Sequence, residues 1–92
     1  MQRFFLHLVY DNRIIEDPEG SDLTDLDAAS AEAQIVIREL AANHLMSGKA
    51  FFLKSIEIRT QDDSVLANVS VCEAIWDVMA PSLPKSTSDG VL

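Results

Sequence analysis

The feature that most constrains this chain is an unbroken helical pattern across its middle, running from an acidic cap to a glycine stop. Thr24 or Asp25 stands where an N-cap accepts hydrogen bonds from the first free amides. Asp25, Asp27 and Glu32 lie near the positive end of the helix dipole. Leu26, Ala29, Ala33, Val36 or Ile37, Leu40 and His44 or Leu45 recur at three-to-four-residue spacing and make one apolar stripe. Gln34, Arg38, Glu39 and Asn43 fall largely on the other side. Gly48 is free to take the positive φ that ends a helix. The spacing predicts a helix over about 26–46, roughly 30 Å long. Such a stripe must be buried, and the rest of the chain offers a sheet to bury it on.

Residues 3–10, Arg-Phe-Phe-Leu-His-Leu-Val-Tyr, are rich in β-formers and read as a first strand. Asp11-Asn12-Arg13 supplies a turn, and 14–17 a short returning strand that Pro18-Glu19-Gly20 stops. After the helix, 54–61 alternates strictly, with Ile56 and Ile58 on one face and Glu57 and Arg59 on the other. Asp62-Asp63-Ser64 turns the chain into a fourth strand, from Val65 to about Ile75. Two hairpins joined by a helix predict an α+β fold, ββαββ, with a four-stranded sheet and the helix on one face. The first and fourth strands are the more apolar, which suggests central positions. The short second and the charged third suit edges. The expected order is therefore 2-1-4-3, with strands one and four parallel through a right-handed crossover. The domain is expected over residues 1–75. Residues 76–92 form an extension whose composition, from about Pro81, suits disorder.

Arg3-Phe4-Phe5-Leu6-His7-Leu8, Asp17-Pro18-Glu19-Gly20 and Leu23-Thr24-Asp25-Leu26-Asp27-Ala28-Ala29 with Glu32-Ala33 resemble a small bacterial family, domain of unknown function 6894. Ile56-Glu57-Ile58 and Asp62-Asp63-Ser64-Val65-Leu66 resemble its second hairpin, so the similarity covers about residues 3–72. The resemblance implies the same element order. It carries over no activity, cofactor or catalytic residue, because the family is assigned none.

Ninety-two residues suffice for one domain, which buries roughly 60–65% of its unfolded surface. Fifteen acids against seven basic residues give a net charge of −8, and the basic residues are scattered singly. Phosphate backbones and anionic membranes are poor partners for such a surface. No run approaches the ~20 apolar residues of a membrane span. The apolar start is short, interrupted by His7 and without a small-residue cleavage site, so it is not expected to be a signal peptide. The lone Cys72 suits a reducing compartment, and the expectation is a cytoplasmic protein.

Residues 11–32 hold eight acids against Arg13 alone, seven of the eight net negative charges. Within the acidic loop 16–27, Asp17, Glu19, Asp22 and Asp25 are candidates for a weak cation site or a docking patch, although the glycine comes too early for an EF-hand. Capping and solvation explain the same acids more simply. His7 and His44 are too few for a metal site, and Cys72 beside Glu73 is no activated thiol. No nucleophile elbow or phosphate-binding loop occurs, so neither an enzyme nor a bound cofactor is expected. If Phe4, Leu6, Leu8 and Tyr10 pack under the helix, Phe5, His7 and Val9 project outward, beside Leu66. With Trp76 and Met79 they form a possible interaction surface. The leading expectation is a non-catalytic protein-interaction module, a homodimer through the outer sheet face. The alternative is a small-molecule or cation-binding regulatory protein using the acidic loop or a pocket under the helix.

Overall fold

A computed structural model describes residues 1–79, apart from the side chains of Asp77 and Met79. The expected disorder from about Pro81 lies outside the described residues. The elements are β1 (Gln2–Val9), β2 (Ile14–Ile15), β3 (Ser21–Leu23), α1 (Leu26–Ser47), β4 (Ser55–Arg59), β5 (Val65–Ser70) and α2 (Val71–Met79). The predicted helix forms with both of its caps. Asp25 accepts the Ala28 amide at 2.8 Å, and Gly48 takes φ 72°. Ala29, Ala33, Ile37 and Ala41 are buried, and these small side chains let α1 lie close on the sheet. At the end of the stripe His44 turns inward while Leu45 points to solvent.

The fold is α+β as expected, but the sheet has five strands and not four, and their order differs. The sheet runs β2-β1-β4-β5, all antiparallel, with β3 also paired to β1. Leu6 lies opposite Ile58 and Leu8 opposite Ile56. The charged strand, expected at an edge, is therefore central, and the last strand is the edge. No parallel pair exists among the described strands. The physical reason is the open face. An antiparallel sheet covered on one side tolerates charge on the other. Glu57 and Arg59 neutralise one another there at 2.5 Å, and Arg59 reaches Asp63 at 2.9 Å. Ile56 and Ile58, on the covered face, are fully buried with Phe4. On β5, by contrast, Val65 and Leu66 are exposed, and the pairing slips at Arg59 so that Leu66 is bulged out.

The fourth strand also ends earlier than expected. Ser70 accepts the Glu73 amide at 3.1 Å and donates to the Glu73 carboxylate at 3.3 Å. Ser-x-x-Glu is a capping pair that starts a helix, so Val71–Ile75 are helical. α2 crosses the boundary expected near residue 75 and packs on α1. Ala74 is fully buried there, and the Arg38 guanidinium donates to its carbonyl at 3.3 Å.

Candidate interaction surface

Three of the four loop candidates, Asp17, Asp22 and Asp25, have their carboxylates engaged by the fold. β2 and β3 lie one after the other along β1, and the gap between them leaves the Leu6 amide without a strand partner. The Asp17 carboxylate fills that gap. It accepts from Leu6 at 3.2 Å, Glu19 at 3.3 Å and Gly20 at 3.1 Å. Asp22 takes both ends of the Arg3 guanidinium at 3.1 Å, while Arg3 also donates to the Glu19 carbonyl at 2.7 Å. Asp25 is the helix cap. The residues 17, 19, 22 and 25 are thus spread along one edge. Among the described residues no three His, Cys, Asp or Glu side chains gather where they would hold a metal ion.

On the outer sheet face, His7 is covered by its own chain. His7, expected to be partly exposed, is 5% exposed. Its Nδ1 accepts the Asp17 amide at 3.0 Å, and its Nε2 faces the Asp63 carboxylate at 3.9 Å. His7 therefore ties the first loop to the second turn. Phe5 and Val9 are half-buried and Leu66 is exposed, but the ionic Glu57–Arg59–Asp63 group lies among them. Trp76 is half-buried on α2. The Met79 side chain lies outside the described residues. Of the six surface candidates, Phe5, His7, Val9 and Leu66 lie on the sheet and Trp76 on α2.

An apolar groove lies elsewhere, between the last turns of α1 and the exposed side of α2. Its volume is about 730 Å³, and Ala41, Ala42, Leu45, Phe51, Ile75 and Val78 line it. Arg38, His44 and Lys49 supply the polar groups of its wall. The His44 ring stacks obliquely on Phe51, with centroids 5.1 Å apart. Its Nδ1 is buried and has no partner among the described residues. Leu45 is 84% and Val78 52% exposed, and Met46, next along α1, is 89% exposed.

The family model for the Domain of unknown function (DUF6894) matches residues 3–72. The chain belongs to this family. No curated protein and no solved structure matches it. The DUF6894 match takes in the Asp17 gap-filler, the His7 tether and all of α1, and it ends two residues into α2. The groove is therefore lined mostly within the match, with Ile75 and Val78 of α2 added from beyond it.

Two of these features were missed in the sequence, and each had a signal. The capping pair Ser70 and Glu73 marked α2, with Val71, Ala74, Ile75 and Val78 at helical spacing after it. The second apolar set on α1, Ile35, Ala42, Leu45 and Met46, was hidden because the first stripe already satisfied the helix reading.

Proposed function

We propose that this chain is a non-catalytic protein-interaction module that works through the groove between α1 and α2. The observation that carries the reading is the pair of exposed apolar side chains, Leu45 and Val78, on the wall of an apolar hollow. Soluble domains rarely leave such surface uncovered without a partner. The basic residues argue against nucleic acid, because Arg3, Lys54 and Arg59 are each paired with a carboxylate. No described helix is long and apolar enough to cross a membrane. The free, exposed Cys72 supports a reducing, cytoplasmic setting.

Titration with the apolar dye bis-ANS tests the surface. One saturable site is expected, weakened at least about tenfold in a Leu45→Glu, Val78→Glu variant that melts at the same temperature. Dye binding unchanged in that variant contradicts the reading. A second reading, binding of a small amphipathic molecule, is favoured by the unpartnered His44 Nδ1 in the groove wall. Decanoate and decanol below micelle concentration then raise the melting temperature with concentration, less so in His44→Phe. A melting temperature independent of both removes it.

A further inference from the structure

We infer that His7 is a pH-operated latch: a second proton on its ring releases the first loop and ties the ring to the second turn instead. The latch is independent of the groove. Its two ring nitrogens face two different segments of the chain. Nδ1 accepts the Asp17 amide at 3.0 Å, so the neutral ring carries its single proton on Nε2. Nε2 faces the Asp63 carboxylate at 3.9 Å, beyond hydrogen-bond length. The ring is 5% exposed, so water has little room to replace a lost contact.

Protonation changes both sides at once. An imidazolium has two N–H donors and no acceptor. Its Nδ1–H points at the Asp17 N–H, donor against donor. Flipping the ring brings no relief, because both nitrogens are then donors, and the bond to Asp17 is lost. On the other side Asp63 acquires a full positive charge to attract. The tie passes from the first loop to the second turn.

The groups around the ring suit that exchange. Glu16 and Asp17 of the first loop and Thr60, Gln61 and Asp63 of the second turn line one small hollow with His7. On β4, Glu57 lies opposite His7 in the register, and Arg59 holds both Glu57 and Asp63. Four carboxylates and one guanidinium thus surround the ring, and the second proton arrives in net negative surroundings. The consequence lies on β1. The residue released is also the one whose carboxylate accepts the Leu6 amide, so the edge of β1 opens between β2 and β3 when the latch lets go.

Nitrogen-15 spectra of the full chain between about pH 8 and pH 5, where histidine changes charge, test the inference. At the alkaline end His7 is expected to show a bare Nδ1 and a protonated Nε2. As the ring titrates, exchange protection at the Asp17 and Leu6 amides falls at least about tenfold, with the same midpoint. His7→Asn sets an Oδ1 where Nδ1 stood; it keeps the amide bond and loses the transition. Asp63→Asn leaves the loop closed at the alkaline end and moves its opening to lower pH, a readout that does not depend on the folding of His7→Asn. A ring protonated on Nδ1 at the alkaline end overturns the inference. So does a ring that stays neutral throughout, or one that titrates while Asp17 and Leu6 keep their protection. An opening unchanged in His7→Asn belongs to the carboxylates and overturns the latch. An unmoved midpoint in Asp63→Asn overturns the exchange of partners.

Discussion

Single residues explain why the first loop looks as it does. Gly20 has φ 75°, and a Cβ there would stand 2.9 Å from both Arg3 Cγ and the Phe4 carbonyl. Gly48 has φ 72° with nothing within 4 Å. Both conformations disfavour a side chain, but only Gly20 is also crowded. Gly20→Ala is therefore expected to cost about 2–3 kcal/mol and Gly48→Ala about 1 kcal/mol, as read by urea unfolding. Asp17→Ala strands three amides and is expected to cost about 2–3 kcal/mol, while exposed Glu19→Ala falls within about 0.5 kcal/mol. Equal costs for Asp17 and Glu19 would show that the carboxylate is not bridging the gap. In the second turn, a hydrogen bond from the Thr60 hydroxyl, helped by Ser64, holds the Asp62 carboxyl below its ordinary 3.8. Because the folded value is the lower one, this contribution is full above 3.8 and fades as pH falls through the folded value. Carbon-13 carboxyl titration of Thr60→Val should move Asp62 back toward the ordinary value. An unmoved midpoint would mean that the hydroxyl does not set it.

Among the elements, the α1 boundaries were readable because cap, stripe and glycine stop agree on them. The hairpins were readable from their Asp-rich turns. The strand order was not, because it depends on a contact between chain-distant strands that neither strand announces. Charge on Glu57 and Arg59 was read as an edge signal. In fact it marks the open face of a central strand, and only the Arg59 pairs with Glu57 and Asp63 make that distinction. Nuclear Overhauser contacts between Leu6 and Ile58, and slower amide exchange in β4 than in β5, are the expected outcomes of the antiparallel order. Leu6–Ala67 strand contacts with a protected β5 would restore the parallel arrangement. The start of α2 was legible in Ser70 and Glu73 but overlooked, since Val65–Val71 alternates as a strand does. Ser70→Ala removes that cap and should cost about 1 kcal/mol. It should loosen α2 selectively, visible as faster exchange at Cys72 to Ile75 with α1 unchanged.

At the scale of the molecule, the candidate site moved from one side to the other. The outward residues Phe5, His7 and Val9 were legible as a set, but sequence could not show that the chain covers His7 with its own first loop. In the acidic loop, Asp17 and Asp22 tie the chain to β1 and Asp25 caps α1. Among the described residues, the exposed apolar surface at the far end of the helix layer is where Leu45 and Val78 border the groove. The most direct test is bis-ANS titration read by methyl chemical shifts. Saturable shifts at Ala42, Leu45 and Val78 are expected. Shifts confined to Val9 and Leu66 on the outer sheet face, or none at all, would contradict the account.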